Sequence, residues 1–262
     1  GDYVDFYSSP YHATNVGRIF RPGAEPLPPN WRHLPIGYHG RSGSIVVDGT
    51  PIRRPSGQRG KDGFGPTRRL DFELEVGFLT GTGPPVPIPV EEAERYIFGL
   101  VLLNDWSARD IQAWESQPLG PFLGKSFATT ISPWVVPLSS LGAHRIDPPA
   151  QDPPPLPYLT PAGKGIDLDL EVSVNGEVVC RSNFRHLYWT MSQQLAHATS
   201  NGATVRAGDL FASGTISGPD PGSLGCLLEI TDNGNTGDYL QDGDTVTLRS
   251  ELLGSCTGTV VG

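Results

Sequence analysis

Acidic side chains alternate with apolar ones along Leu70-Asp71-Phe72-Glu73-Leu74-Glu75. On a β-strand, Glu73 and Glu75 would share one face with their Cα atoms about 7 Å apart. No Lys or Arg alternates with them to relieve the repulsion between the carboxylates. Such a face either lies in water or supplies oxygen ligands to a hard divalent cation, Mg²⁺ or Ca²⁺. This segment alone leaves both interpretations open, and carboxylates from elsewhere in the chain would favour the second.

Asp105 is a further candidate because it follows an apolar run. The near-continuous apolar stretch from Ile97 to Leu103 predicts a strand buried on both faces. Functional groups often stand where such a strand ends, although Asp105 would also serve as the cap of a helix predicted from Ser107 to Glu115. Arg109 and Gln112, three positions apart on that helix, would project on one side as a cation and an amide.

The opening segment places an acid, a phenol and an imidazole close together. Asp5 and Tyr7 share one side of an extended stretch, and Ser9-Pro10 predicts the start of a short helix that carries His12. Among the six histidines, His12 is the one that has an Asp and a Tyr beside it in sequence. A neutral imidazole takes up protons near pH 7, so His12 is a candidate general base, with a structural or solvated histidine as the alternative.

The elements that must position these residues are short. The 33 glycines and 26 prolines predict many short strands and long ordered loops, in one β-rich domain with a few helices. Strands are predicted at 70–76, 97–103, 210–213, 227–230 and 245–252, with a strand, an Asp48-Gly49 turn and a second strand over 44–52, and a hairpin from 167–174 through Asn175-Gly176. Helices are predicted at 91–96 and 107–115 and from Tyr188 to about Asn201, and a loop at 84–89.

Composition narrows the class of protein. With 19 Lys and Arg against 28 Asp and Glu, the 262 residues carry a net charge of −9, which argues against nucleic-acid binding. No apolar run approaches the roughly 18 residues that a membrane span requires. The three cysteines are widely spaced and offer neither a disulfide framework nor a metal clip, so we expect a reducing, cytoplasmic location. The start at Gly1, with the one Met at position 191, predicts a fragment or a processed form.

Six ordered segments, spread through nearly the whole chain, carry a resemblance to a known family. They are GDYVDFYSS (1–9), HATNVG (12–17), LPIGYHGR (34–41), NDWSARDIQ (104–112), GPFLGKSF (120–127) and ASGTISG (212–218). The sequence resembles the C-terminal catalytic domain of the fumarylacetoacetase (fumarylacetoacetate hydrolase) family. The resemblance implies an α+β, β-rich fold, a mixed β-sandwich roll with a few short helices, over a single catalytic domain at 1–262. The family's small N-terminal SH3-like domain is expected to be absent from this chain.

The resemblance also implies an activity and a set of site residues. The activity is metal-dependent hydrolysis of the carbon–carbon bond of fumarylacetoacetate to fumarate and acetoacetate, in tyrosine and phenylalanine catabolism, by a homodimer with Mg²⁺ or Ca²⁺. By this resemblance the metal carboxylates are Asp5, Glu73, Glu75 and Asp105, and a metal position is also associated with Lys125 and Thr129. The general base is His12, with Glu229 as its orienting partner, and the catalytic donors are Arg109, Gln112 and Lys125. The resemblance implies substrate contacts at Tyr7, Arg21, Tyr38, Gln112 and Thr215. An ammonium has no lone pair for a cation, so Lys125 would act on a metal only indirectly or through its backbone.

Two alternatives stay open at this point. Ser116 stands where the family tends to have a second tyrosine, which leaves room for a different 2,4-dioxo acid as substrate. The reaction would then be acylpyruvate hydrolysis or oxaloacetate decarboxylation. The second alternative is a Ca²⁺-stabilised β-sandwich binding module without catalysis, which explains the carboxylates but leaves His12 and Glu229 without a role.

Overall fold

The computed structural model describes residues 1–83 and 85–262, and strands make up most of its regular elements. Position 84, the first of the loop predicted at 84–89, lies outside the described residues. In chain order the strands are β1 (Tyr3–Phe6), β2 (Gly37–His39), β3 (Ile45–Val47), β4 (Ile52–Arg53), β5 (Ser56–Gln58), β6 (Phe64–Pro66), β7 (Leu70–Asp71), β8 (Leu74–Thr80), β9 (Ile97–Asp105), β10 (Ser107–Ala108), β11 (Thr129–Ile131), β12 (Val136–Pro137), β13 (Arg145–Ile146), β14 (Gly165–Ile166), β15 (Asp169–Val174), β16 (Glu177–Asn183), β17 (Leu210–Ala212), β18 (Thr245–Ser250) and β19 (Gly254–Val261).

The helices are few and short. The α-helices are α1 (Pro10–Phe20), α2 (Arg109–Glu115), α3 (Met191–Thr199) and α4 (Leu227–Ile230), and 3₁₀ turns span Ser42–Ser44, Ala93–Tyr96, Leu138–His144, Pro157–Leu159, Phe184–His186 and Pro221–Ser223. Across the described ranges, none of these helices has the length and apolar character needed to cross a membrane.

The larger sheet carries the candidate residues. Its strands follow the order β2-β1-β17-β8-β9-β11-β3, with β12 also paired to β9. The β1–β17 and β11–β3 pairs are parallel, and β8 pairs with β9 antiparallel from Leu74 opposite Asn104 to Thr80 opposite Ile97. The buried strand predicted at 97–103 is confirmed, although it continues to Asp105 and leaves Phe98 exposed.

The second sheet has the order β16-β15-β18-β19-β4 and packs against the first. Leu102 of β9, Val172 of β15 and Leu248 of β18 belong to one buried apolar cluster, so the core lies between the sheets. The hairpin predicted through Asn175-Gly176 is confirmed, because both turn residues have the positive φ, 53° and 85°, that a tight hairpin requires. These layers confirm the prediction of an α+β, β-rich sandwich with a few short helices.

The strand, turn and strand predicted over 44–52 are present, but the two strands enter different sheets. β3 pairs with β11, and β4 pairs with β19. The turn between them is held by Asp48, whose Oδ1 accepts a hydrogen bond from the Thr257 backbone N at 2.6 Å. The chain therefore passes from one sheet to the other at this turn.

One sequence prediction around the site is wrong, and a second is confirmed with a shifted start. Residues 227–230, predicted as a strand, form α4. The prediction fails because the run is too short to show a period. The helix start is held by the Asp71 carboxylate, which accepts hydrogen bonds from the backbone N–H groups of Leu227 and Leu228. The helix predicted from Ser107 begins at Arg109 instead, since β10 pairs with β7. Ala108, not Asp105, stands at the cap position of α2.

Candidate active site

Four carboxylates converge at one end of the larger sheet. Their oxygen atoms, one from each residue, lie within 4.8 Å of one another. The residues are Asp5 on β1, Glu73 just before β8, Glu75 on β8 and Asp105 at the end of β9. The exposed fractions of Glu73 and Glu75 are 5% and 0%, so the interpretation of a water-facing acidic strand is wrong.

Two carboxylate oxygens in this cluster lack protein partners. Tyr38 donates to Asp5 Oδ2 at 2.8 Å, and the Gly214 backbone N donates to Glu75 Oε2 at 3.0 Å. Asp5 Oδ1 and Glu75 Oε1 are buried and have no hydrogen-bond partner among the residues described. Burying an unpartnered carboxylate oxygen is costly, and an oxygen-ligated divalent cation would satisfy both atoms. The donor set therefore fits a hard cation such as Mg²⁺ or Ca²⁺.

Lys125 is a bridge between acids within this cluster. Its Nζ lies 2.6 Å from Glu73 Oε2 and 2.6 Å from Asp105 Oδ2. All three side chains are buried, so these ion pairs form at low dielectric, where they are strong. Thr129 of β11 is the register partner of Asp105 and is also buried. The two residues associated with a metal position thus border the carboxylates.

The pKa values of the acids divide according to their neighbours. Burial and nearby carboxylates raise the pKa values of Asp5 and Glu75 well above the ordinary range. Burial raises the pKa of Asp105 to about 6, against the opposing charge of Lys125. Burial also raises the pKa of Glu73, but the charges of Lys125 and Arg109 outweigh it and lower that pKa. The cluster is therefore short of positive charge around Asp5 and Glu75.

His12 and Glu229 form a buried pair beside the cluster. His12 Nδ1 lies 2.7 Å from Glu229 Oε2, and Glu229 also accepts from Asn15 Nδ2 and Ser217 Oγ at 2.8 and 2.7 Å. Burial raises the pKa of Glu229, but the positive charge on His12 and these hydrogen bonds lower it to about 2. Glu229 is therefore ionised at neutral pH, and an ionised carboxylate at this position would favour the tautomer with the proton on His12 Nδ1.

Local structure holds the imidazole in place. Ser9 caps α1 by accepting from the His12 backbone N at 3.2 Å, and its hydroxyl donates to the Ser217 carbonyl at 2.9 Å. Pro10 occupies the first turn, as the sequence predicts. The rings of Tyr7 and His12 meet edge to face with their centroids 5.4 Å apart. The capped helix start therefore presents His12 in one orientation.

Arg109 and Gln112 share one side of α2, as their spacing predicts. Arg109 Nη1 lies 2.8 Å from Glu73 Oε1 and donates to Gln112 Oε1 at 3.2 Å. Arg109 Nη2 and Thr215 Oγ1 are buried and, within the part of the chain that the structure describes, have no partner. Each of these two atoms could donate a further hydrogen bond.

Comparison with known proteins identifies the family. A family model described as fumarylacetoacetate (FAA) hydrolase C-terminal matches residues 3–261. The chain belongs to the FAA hydrolase family. It is 51% identical to fumarylacetoacetase from Bos taurus and 50% identical to fumarylacetoacetase from Arabidopsis thaliana. Both alignments cover 100% of this chain, and they cover 70% of the Bos taurus protein and 69% of the Arabidopsis thaliana protein.

Solved structures agree on the fold of this FAA hydrolase family chain. A fumarylpyruvate hydrolase from Pseudomonas aeruginosa, solved in complex with Mn²⁺ and pyruvate, matches with a TM-score of 0.66 at 19% identity, over 100% of this chain and 89% of that chain. A 5-carboxymethyl-2-hydroxymuconate delta-isomerase from Mycobacterium smegmatis matches with a TM-score of 0.62 at 22% identity, over 99% and 78%.

Two further sequence candidates, Arg21 and Tyr38, differ in how closely they approach the carboxylates. Arg21, at the end of α1, is exposed and donates to the Pro26 carbonyl, although its charge is near enough to lower the pKa of Tyr7, which burial raises. Tyr38 lines a cavity of about 400 Å³ together with Asp105 and Lys125. The cavity thus reaches the carboxylates from the side of Tyr38.

Three residues of the network escaped the sequence analysis as site residues. Asn15 and Ser217 also donate to Glu229, and Asp71 binds Arg109 without joining the four-carboxylate cluster. The alternation of acids along 70–75 draws attention to Asp71, but strand pairing separates β7 from β8 and sends Asp71 to other partners. No local signal identifies Asn15 or Ser217, because both bind Glu229, which lies more than 200 residues from Asn15 and 12 residues from Ser217.

Proposed function

We propose that this chain hydrolyses the carbon–carbon bond of fumarylacetoacetate to fumarate and acetoacetate, a step of tyrosine and phenylalanine catabolism. The observation that carries the proposal is the buried four-carboxylate cluster beside the His12–Glu229 pair, in a chain about half identical to curated fumarylacetoacetases. Cleaving a β-diketone with water requires an activated water, a polarised ketone and stabilisation of the departing carbanion. Each requirement has candidate groups in this site.

Asp5, Glu73, Glu75 and Asp105 would hold a divalent ion, Mg²⁺ or Ca²⁺. The Mn²⁺ bound to the fumarylpyruvate hydrolase from Pseudomonas aeruginosa supports a divalent ion in this fold. When bound, such an ion supplies Lewis-acid polarisation of ketone oxygens and a template for the substrate. Lys125 and Arg109 would neutralise the negative charge that a divalent ion leaves on four carboxylates, and Thr129 would border the same position.

His12 is the proposed general base. Its Nδ1 is engaged by Glu229, so Nε2 is the atom that would take a proton from water. Glu229 would stabilise the imidazolium that results, because it is buried, ionised and held by three further donors, Asn15, Ser217 and Cys226. A positioned general base of this kind contributes about 10²–10⁴ in rate.

Arg109, Gln112 and Lys125 are the proposed donors to developing negative charge. Arg109 is the best placed of the three, since its Nη2 is buried without a protein acceptor in the described residues. Gln112 touches Arg109 through its carbonyl, which leaves its amide N–H groups for the substrate. Lys125 is already bonded to two carboxylates, so it would act mainly through its charge.

The substrate contacts are proposed around these groups. Thr215 offers a buried hydroxyl without a partner in the described part of the chain, and Tyr7 packs against His12. Tyr38 would contact the substrate from its position beside Asp5, to which its hydroxyl donates. Arg21, with an exposed guanidinium, would meet a substrate carboxylate only at the outer end of the site. The Ser116 hydroxyl donates to the backbone carbonyl of Gln112, so the residue that stands where the family tends to have tyrosine bonds to its own helix.

The test is an assay of fumarylacetoacetate hydrolysis, monitored as the loss of the substrate's diketone absorbance, with and without EDTA. We expect turnover that EDTA abolishes and that Mg²⁺ or Ca²⁺ restores. His12→Ala should lower kcat by at least about 10²-fold while the fold is retained, and it should also lower the melting temperature, because Glu229 loses its buried partner. His33→Ala, at an exposed histidine, is the matched control and should keep full activity.

Other outcomes separate the alternatives. Normal turnover by His12→Ala would refute the assignment of the base, and turnover of an acylpyruvate or of oxaloacetate in place of fumarylacetoacetate would refute the proposed substrate. A melting temperature that falls on chelation, with none of these substrates turned over, would indicate a Ca²⁺-stabilised binding module.

We also propose a homodimeric, cytoplasmic enzyme with one catalytic domain at 1–262. Cys180, Cys226 and Cys256 are all free and buried, which suits a reducing compartment. Leu119 and Phe122 expose apolar side chains near the site, which would suit an interface between copies. Light scattering of the purified chain tests the dimer, and a monomer at micromolar concentration would contradict it.

A further inference from the structure

Asp71 is a fully buried acid outside the four-carboxylate cluster, and its three partners are all donors. Its Oδ1 accepts from the Leu227 backbone N at 2.7 Å, and its Oδ2 accepts from the Leu228 backbone N at 2.9 Å. Oδ2 also accepts from Arg109 Nε at 2.8 Å. One side chain thereby holds the start of α4 and the guanidinium of Arg109.

These partners belong to the two halves of the site. The helix α4 carries Glu229, which orients His12. Arg109 extends from Asp71 to Glu73, with its Nη1 2.8 Å from Glu73 Oε1. The fork geometry of a guanidinium means that fixing Nε and Nη1 also fixes the direction of Nη2, the buried atom that lacks a partner in the described residues.

We propose that Asp71 is a positioning residue that sets the free Nη2 of Arg109 and the helix of Glu229 in one fixed relation. The proposal rests on the proposed function, in which Arg109 meets developing negative charge and Glu229 serves the base. Asp71 does not touch the substrate. It acts through Arg109 and through α4.

The local fold gives Asp71 little freedom to move. Its strand β7 pairs with β10, Asp71 opposite Ser107, immediately before Arg109 begins α2. The Arg109 backbone N donates to the Arg69 carbonyl at 2.9 Å, and the Leu240 backbone N donates to the Leu70 carbonyl at 2.9 Å. The carboxylate is therefore fixed by backbone on both sides before it binds its three donors.

Asparagine at position 71 cannot reproduce this arrangement. Its side chain offers one acceptor oxygen and one NH₂ group, so at least one of the three N–H donors would face another N–H. Asp71→Asn also removes the negative charge that holds Arg109. We expect Asp71→Asn to lower kcat by about 10²-fold, the effect of misplacing one oxyanion donor, with little change in KM.

The experiment measures kcat and KM for hydrolysis of fumarylacetoacetate by four forms, the natural chain, Asp71→Asn, Arg109→Gln and the double variant. Once Arg109→Gln has removed the guanidinium, Asp71→Asn can act only through α4, so it should lower kcat by less than about tenfold further, well short of its effect of about 10²-fold in the natural chain. A merely structural role would leave the two losses multiplicative. Full multiplication, or natural kcat in Asp71→Asn, would overturn the proposal.

A matched control separates positioning from stability. Asp209 is buried and accepts from the Asp2 and Arg206 backbone N–H groups, both at 2.7 Å, with no contact to the carboxylate cluster or to α4 among its hydrogen bonds. Asp209→Asn should lower the melting temperature while keeping the natural kcat. Equal losses of kcat in the Asp71 and Asp209 variants would show a general effect of burying an amide and would overturn the proposal.

Two further conditions keep the test decisive. If Asp71→Asn does not fold, Asp71→Glu takes its place, because it retains the charge and the acceptor atoms but displaces the carboxylate by about 1 Å. The kcat of Asp71→Glu should fall at least tenfold, and a natural kcat in this variant would overturn the proposal. If the natural chain does not hydrolyse fumarylacetoacetate, the proposed function has failed, and the same four-form comparison on an acylpyruvate still decides the role of Asp71.

Discussion

At the scale of single residues, the protonation of each acid follows from its nearest donors. Glu229 and Glu73 have cationic partners that outweigh burial and keep their pKa values low. Asp5 and Glu75 lack such partners, so burial keeps their pKa values high. Identical functional groups a few ångströms apart thus favour opposite charge states, which is typical of a site arranged for chemistry.

The depressed pKa of Glu229 predicts a pH-dependent contribution to stability. A folded pKa of about 2 against about 4.3 in the unfolded chain corresponds to about 3 kcal/mol, which is present above pH 5 and is lost as the pH falls toward 2. The advantage of the natural chain over Glu229→Gln in free energy of unfolding should therefore shrink by about 1 kcal/mol between pH 5 and pH 3.5.

Urea denaturation at each pH measures this difference. The control is Glu91→Gln, at an exposed position, for which the difference should stay near zero throughout. An advantage over Glu229→Gln that does not shrink between pH 5 and pH 3.5 would contradict the lowered pKa of Glu229.

At the scale of elements, the start of α1 determines where the imidazole lies. Ser9 caps the helix at the His12 backbone N and ties it to the Ser217 carbonyl, next to the Ser217 hydroxyl that binds Glu229. A cap in this position has two effects, since it stabilises the helix and aligns both members of the pair.

Ser9→Ala should lower the free energy of unfolding by about 1 kcal/mol and also lower kcat several-fold, because the loss of the cap loosens His12. Thr190→Ala removes the cap of α3, which accepts from the Gln193 backbone N at 3.3 Å away from the His12–Glu229 pair. It should cost a similar free energy without changing kcat. Parallel thermal and kinetic measurements compare the two, and equal kcat in both variants would refute a positioning role for Ser9.

At the scale of the whole molecule, the fold gathers negative charge at the end of the larger sheet and depends on a cation to balance it. The strand order brings β1, β8 and β9 together, although Asp5 on β1 and Asp105 on β9 lie 100 positions apart in sequence. The raised pKa values of Asp5 and Glu75 mean that the metal-free protein gains stability from these groups only at low pH and loses it as the pH rises.

Removing the metal should therefore destabilise the protein most at neutral and alkaline pH. At pH 7, EDTA should lower the melting temperature, and a divalent ion at 100 times its Kd should raise the free energy of unfolding by about 2.7 kcal/mol. Glu75→Gln, which retains a hydrogen-bond acceptor but carries no charge, should be at least as stable as the natural chain in EDTA and should not respond to added Mg²⁺ or Ca²⁺. Calorimetry checks both, and a full metal response in Glu75→Gln would contradict the cluster as the ion site.

Much of the local structure is predictable because it depends on neighbours in sequence. The buried strand from Ile97, the Asn175-Gly176 hairpin and the capped helix that carries His12 all rest on patterns within about ten residues. The types of residue that could do chemistry are likewise visible, since Asp71, Glu73 and Glu75 alternate with apolar residues and no Lys or Arg alternates with them. The prediction of a strand at 227–230 fails because four residues, three of them apolar, are too few to show a period, and the decisive partner is Asp71, more than 150 positions away.

By itself, then, the sequence determined the β-rich class, the short elements and the chemical groups on offer, because backbone propensity and side-chain alternation act locally. Only the tertiary structure decided that Glu73 and Glu75 are buried, that Lys125 bridges acids, and that Asp71 joins Arg109 to α4. Burial and charge pairing depend on strand order and on contacts across the sheet, and distances in space between remote residues are set by the whole packed chain.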